Sequence, residues 1–101
     1  MSNVHLVVLG AGPGGYSAAF YAADQGYKVT LVDASDKLGG VCLHRGCIPS
    51  KALLHVSGLM GKIRQAKDFG VDFNIPHIDL KILNDWKEGI VSKVSDGLGQ
   101  L

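Results

Sequence analysis

Four glycines fall within the six residues Gly10-Ala11-Gly12-Pro13-Gly14-Gly15, and the segments on either side differ in hydrophobic period. Before them, His5-Leu6-Val7-Val8-Leu9 is a short β-rich apolar run that stops at glycine, the pattern of a buried parallel strand. After them, Tyr16 to Ala23 is alanine-rich and free of proline, and it closes near Gly26, which predicts a helix with a glycine stop. Lys28-Val29-Thr30-Leu31-Val32-Asp33 then reads as a second strand, β-branched and ending on an acid. No other feature constrains the fold as tightly. A strand, glycine turn, helix and strand in this order predict a Rossmann-like βαβ unit over the first 33 residues, with parallel strands and a right-handed crossover, and so an α/β class.

Within the turn, each glycine of the G-x-G-x-x-G pattern has a physical task. Gly10 permits the sharp exit from the strand, Gly12 lets a pyrophosphate approach the backbone, and Gly15 lets the helix pack on the sheet. The unpaired amides and dipole at the helix start favour phosphate. Asp33 ends the next strand about 20 residues on, where an acid accepts hydrogen bonds from the hydroxyls of an adenosine ribose. The unit therefore reads as an adenine-dinucleotide cradle. It does not distinguish NAD from FAD, which share the adenosine and the pyrophosphate.

Beyond Asp33, a polar loop from Ala34 to Lys37 leads to Gly39-Gly40 and both cysteines of the chain, Cys42 and Cys47. The pattern is helical from about Pro49 to Lys67, with Leu53, Val56, Met60 and Ile63 on one stripe. Gly70 to Phe73 is expected to be a short extended stretch, broken by Ile75-Pro76. Asp79 to about Leu98 predicts a last helix with Asp79 as N-cap and Ile82, Trp86, Ile90 and Val94 as its buried face. No repeat or linker divides the 101 residues, which are room for one domain or part of one.

Ten basic against nine acidic residues give a net charge of +1, so charge makes no case for nucleic acid or an anionic membrane as partner. No apolar run approaches bilayer-spanning length. The first dozen residues lack the basic start and cleavage site of a signal peptide, and the expected compartment is the cytoplasm. There a close cysteine pair is more often catalytic or metal-binding than a structural staple.

Three uses of Cys42 and Cys47 are open: a staple, half a metal site, or a disulfide made to be broken and remade. Residues five apart in a regular helix rise about 7.5 Å, whereas a disulfide needs Cα atoms within about 6.8 Å. The two pair only if the backbone between them departs from helix, and Gly46 gives that freedom. Pro49 suits the first turn of a helix beginning beside Cys47. That helix start and Lys51, with Arg45, favour a thiolate on Cys47. A metal needs at least two further ligands, and His5, His44, His55 and His77 are scattered. A staple closing so short a loop stabilises little. A redox disulfide is the reading the residues favour.

Gly10 to Gly15, Asp33 and above all Gly39-Gly40-Val41-Cys42-Leu43-His44-Arg45-Gly46-Cys47-Ile48-Pro49-Ser50-Lys51-Ala52-Leu53-Leu54 resemble the N-terminus of the flavin-dependent pyridine nucleotide–disulfide oxidoreductases. The run Cys-Ile-Pro-Ser-Lys-Ala-Leu-Leu looks most like the dihydrolipoyl dehydrogenase branch. The likeness extends over essentially the whole chain, including Trp86-Lys87-Glu88.

The resemblance implies that the cradle holds FAD, with Gly10, Gly12, Pro13, Gly14 and Gly15 around the pyrophosphate, Asp33 on the ribose, and Gly40 and Val41 beside them. By the same analogy Cys42 is the exposed interchange thiol, Cys47 lies against the isoalloxazine as the charge-transfer thiolate, and Lys51 tunes the flavin near its reactive nitrogen. Electrons would pass from dihydrolipoamide, carried on lipoyl domains of 2-oxo acid dehydrogenase complexes, to the disulfide, to FAD and then to NAD. A related reductase acting on mercuric ion or glutathione, or a dinucleotide-binding module without catalysis, are the competing readings.

Two positions depart from the family. His44 and Arg45 stand where Asn and Val are usual, and His44 is read as non-catalytic, because the family's base is a histidine near the far C-terminus supplied by the partner of a homodimer. The chain is expected to be an N-terminal portion of an FAD-binding domain, an incomplete doubly wound fold without NAD and dimerisation domains, and inactive by itself.

Overall fold

A computed structural model of the chain describes residues 3–101. Strand β1 (His5–Leu9) runs into the glycine turn, helix α1 (Pro13–Asp24) follows, and strand β2 (Lys28–Val32) returns beside β1. The two strands pair in parallel, with His5 opposite Lys28 and Leu9 opposite Val32. The order and parallel pairing of the βαβ unit are thus as the periodicity predicts, but β1, expected to be buried, is exposed except at a half-buried Val8, because among the described residues only α1 covers the sheet. Pro13 occupies the first turn of α1, where its fixed φ fits and its missing N–H costs nothing. Gly26, at φ 91°, turns the chain back toward β2. Helix α1 packs on both strands, and the sheet has no third strand among the described residues.

The cysteine segment contains an element that periodicity does not reveal. Residues Gly40–Arg45 form a short helix α2, and α3 (Cys47–Gln65) begins after a break at Gly46, whose φ of −128° and ψ of −103° are not helical. Helix α3 opens at Cys47, two residues before the expected start at Pro49, and gives way to a single 3₁₀ turn over Ala66–Phe69. Gly70, at φ 82°, closes that turn. The extended stretch expected over Gly70 to Phe73 is not a strand: residues 71–79 are irregular and pair with nothing as a sheet.

Helix α4 (Leu80–Gly99) starts where predicted, with the Asp79 carboxylate accepting from the amides of Lys81 and Ile82 at 3.1 Å each. Its packed face differs from the expected one. Val91 and Ser95 are buried and Leu83, Lys87, Ile90 and Leu98 half-buried, while Ile82, Trp86 and Val94 are exposed. Both stripes have four-residue spacing, offset by one position. Lys87 and Ser95 disguise the buried stripe, since a polar residue reads as surface. On α3, Val56, Met60 and Ile63 of the expected stripe are half-buried, but Leu53 is exposed.

The fully packed interior is small and lies off the sheet. Among the described residues, and apart from Ala19 on α1, the buried side chains are Ala11 in the glycine turn, Leu43 on α2, Ala52 on α3, and Val91 and Ser95 on α4. Helix α2 packs on α3 and α4 and touches α1. The best-covered part of the molecule is therefore the cysteine segment, and burying Leu43 there stabilises it by about 1.5–3 kcal/mol.

Candidate functional site

The glycine turn is closed from both sides. The Gly10 amide donates to the Val32 carbonyl at 2.7 Å, which ties the start of the turn to the end of β2. The Ala11 amide donates to Asp33 Oδ2 at 2.6 Å, and the Ser35 amide donates to Asp33 Oδ1 at 2.7 Å. Hydrogen bonds first from Ser35 and then from Ala11 hold the Asp33 carboxyl below its ordinary value, so it is a carboxylate at neutral pH. It is exposed, and each of its oxygens keeps a lone pair for a further donor.

The helix start supplies the complementary donors. No side chain caps α1, whose N-cap is Gly12, so its first-turn amides stay open for an external acceptor. A Cβ on Gly15 would overlap the Gly10 carbonyl, so glycine is required there for α1 to lie against the strand. A Cβ on Gly40 would stand 2.7 Å from the Gly12 Cα. That approach brings the N-terminus of α2 against the phosphate turn. Gly12 itself has ordinary φ, and a Cβ there would find only the Gly40 Cα, at 3.9 Å. The room beside it suits a pyrophosphate.

Beside the turn lies a cavity of about 390 Å³ lined by Ser35, Lys37, Gly40, Val41, His44 and Arg45. Lys37 and Arg45 place two fixed positive charges on its wall and no acid lines it, so it suits an anionic ligand. Uncapped amides, a ribose-type carboxylate and a basic wall are together what an adenine dinucleotide needs, and the residues fit FAD in that respect.

Both cysteines are thiols, Cys42 on α2 and Cys47 at the first position of α3. The break at Gly46 brings them together. A Cβ at Gly46 would sit 3.3 Å from the Val41 carbonyl and 3.4 Å from the Cys42 Cα, so the two helices are folded tightly on each other there. The Cys42 thiol is pushed above its ordinary value chiefly by its hydrogen bond to the Cys47 side chain. Desolvation and the charge of Cys47 add to this, while a backbone hydrogen bond from Cys47 and the charge of Lys51 act against it. Lys51 is exposed on the next turn of α3.

One expectation is corrected. Cys42, read as the exposed thiol, is half-buried, and Cys47 is the exposed one. Cys42 lies in the packed contact of α2 with α3, whereas Cys47 opens a helix at a break and has a free side. Val41 and Pro13 are exposed, and Gly14 faces open space.

Sequence reasoning missed three participants. The Ala11 amide, the Leu38 carbonyl and Ser95 act through the backbone or from a distant helix, and none carries a motif. His44 Nε2 lies 2.9 Å from the Leu38 carbonyl, and Ser95 Oγ donates to the same oxygen at 3.4 Å.

Comparison with known proteins shows the family. Residues 4–98 match the family model described as pyridine nucleotide-disulphide oxidoreductase. The chain is 50% identical over 96 residues to the dihydrolipoyl dehydrogenases of Buchnera aphidicola from Acyrthosiphon pisum and of Haemophilus influenzae, with 95% of this chain and 20% of each relative covered. It is 45% identical over 101 residues to that of Thermus scotoductus, covering 100% of this chain and 22% of the relative. The chain thus spans about a fifth of the length of the curated relatives it matches.

Proposed function

Because the chain belongs to the pyridine nucleotide-disulphide oxidoreductase family, we propose that it is the FAD-gripping, dithiol-bearing segment of a dihydrolipoyl dehydrogenase. The observation that carries this reading is the close approach of Gly40 to Gly12, which brings the N-terminus of α2, the helix that carries Cys42, against the phosphate turn. The first-turn amides of α1 would receive the pyrophosphate of FAD, and Asp33 a ribose hydroxyl. When bound, the flavin supplies the two-electron carrier between the dithiol and NAD.

This chain's residues perform the thiol–disulfide step. In the oxidised form, a thiolate of dihydrolipoamide attacks Cys42 Sγ, the Cys42–Cys47 bond breaks, and Cys47 leaves as thiolate. The second substrate thiolate attacks the mixed disulfide, closes the lipoamide ring and releases Cys42, which takes up a proton. Two electrons have then moved from substrate to protein. The raised pKa of Cys42 supports this division, since the proton is kept on Cys42. The positive charge of Lys51 acts on Cys42 in the opposite direction, favouring its thiolate. NAD as acceptor, lipoyl domains of 2-oxo acid dehydrogenase complexes as partners, and a homodimer supplying the base complete the reading.

Flavin titration tests it. The protein should bind FAD with quenching of flavin fluorescence. On two-electron reduction it should show a long-wavelength absorption band that Cys47→Ser removes and Cys42→Ser retains. No FAD binding would sink the proposal, and loss of the band in Cys42→Ser alone would reverse the two roles.

A further inference from the structure

We infer that His44 is a positioning residue, which sets the redox equilibrium of the cysteine pair by fixing the Leu38–Gly39 peptide. The inference rests on the reading of Cys42 and Cys47 as a redox pair. A carbonyl only accepts, so the 2.9 Å contact makes His44 Nε2 the donor to Leu38. Ser95, buried on α4, donates to the same oxygen, which places donors on both of its lone pairs. At the other end of that peptide the Gly39 amide donates to the Ala11 carbonyl at 2.8 Å, and the Ala11 amide donates to Asp33. One peptide unit thus joins α2 and α4 to the phosphate turn through an unbroken run of hydrogen bonds.

Helix α2 depends on that joint. Six residues are too few to sustain a helix unaided, and its first backbone bond, from the Leu43 amide to the Gly39 carbonyl, is long at 3.4 Å. Gly39 holds φ 122°, and a Cβ there would strike the Leu43 side chain at 2.6 Å, so the turn into α2 has little freedom while Leu38 is pinned. His44 sits two residues from Cys42 on this helix. Releasing its hydrogen bond loosens α2 and lowers the effective concentration of the Cys42 thiol at Cys47. The disulfide is then less favoured against an external couple, since both thiols must meet for it to form.

Equilibration with glutathione tests the inference. The reaction Cys42–SH + Cys47–SH + GSSG gives the protein disulfide and two GSH, with two electrons passing to glutathione disulfide. Its equilibrium constant should fall about three- to tenfold in His44→Ala, a tenfold change being about 30 mV. Ser95→Ala should shift it the same way by less. His44→Gln, whose amide N–H reaches about as far as Nε2, should return it to within about twofold of the parent. A packing role alone would lower the unfolding midpoint in Ala and Gln variants alike without moving the exchange constant, and that pattern overturns the inference. So does a His44→Ala constant within twofold of the parent. If His44→Ala fails to fold, a Ser95→Ala constant equal to the parent's overturns it. Failure of the parent to form any disulfide would remove the functional reading and this inference together, whereas an unshifted His44→Ala removes the inference alone.

Discussion

Cys42 keeps its proton to higher pH than an ordinary thiol, and the leading cause is a partner only five residues away. Removing that partner tests the cause. In Cys47→Ala the hydrogen bond and the charge of Cys47 vanish together, while the charge of Lys51 remains and lowers the pKa. A raised thiol pKa means less thiolate at a given pH, so the alkylation of Cys42 by iodoacetamide should begin at lower pH in Cys47→Ala than in the parent. Lys51→Ala should shift the profile the other way. Mass spectrometry of the Cys42 peptide across a pH series reads both, and a profile unmoved by Cys47→Ala would mean that the two sulfurs do not interact. At this scale the sequence exposes residue types with reactive chemistry and little else. Asp33 is legible as a ribose acceptor because an acid is expected at that spacing. Its second task, holding the Ala11 and Ser35 amides, depends on backbone donors that leave no signature in residue type. His44 is set aside because the family's base lies elsewhere, and its contact with the Leu38 carbonyl leaves no signature in residue type either.

Between β1 and α1, two glycines of the same motif serve different ends, and alanine separates them. At Gly15 a Cβ would overlap the Gly10 carbonyl, so Gly15→Ala must push α1 off the sheet, at about 1–3 kcal/mol or more. At Gly12 the backbone is ordinary and the nearest atom to a Cβ is 3.9 Å away, so Gly12→Ala should leave stability within about 0.5 kcal/mol. The methyl would stand where the pyrophosphate approaches, and dinucleotide affinity should drop at least about tenfold, or about 1.4 kcal/mol. Urea unfolding and FAD titration on the two variants give a crossed result: stability lost in one, binding lost in the other. Normal FAD affinity in Gly12→Ala would show that the turn is structural only. The βαβ unit and the capped start of α4 were legible because they rest on period and on local donors. Helix α2 was not, since six residues give no period. The face of α4 was misread because Lys87 and Ser95 lie on its packed side, one beside Glu88 at 3.2 Å and the other spent on Leu38.

A compact chain of about 100 residues has a radius of gyration near 13 Å. This one measures 19.9 Å and extends 68 Å along its longest axis. Among the described residues no large side chain is fully buried, while Leu9 is 86% exposed, Ile75 96% and Ile82 67%. Among the described residues both outer edges of the two-stranded sheet are open and only α1 covers it, and a pair of strands with so little cover is marginal in water. The apolar surface on β1, β2 and α4 is therefore surface that folding has not removed from water. At about 25 cal/mol per Å², covering even a few hundred Å² is worth several kcal/mol, comparable to the whole stability of a small domain. The 101-residue chain purified by itself should find that cover in other copies. Sedimentation should show a mass that rises with concentration, and a hydrophobic dye should bind in the dilute, least associated samples and be displaced as association proceeds. A charge of +1 offers little repulsion to oppose this, so added salt should change it weakly. A monomer at all concentrations that ignores the dye and unfolds in one sharp transition would mean that the packing around Leu43 and Val91 suffices. The exposed faces would then carry no association energy.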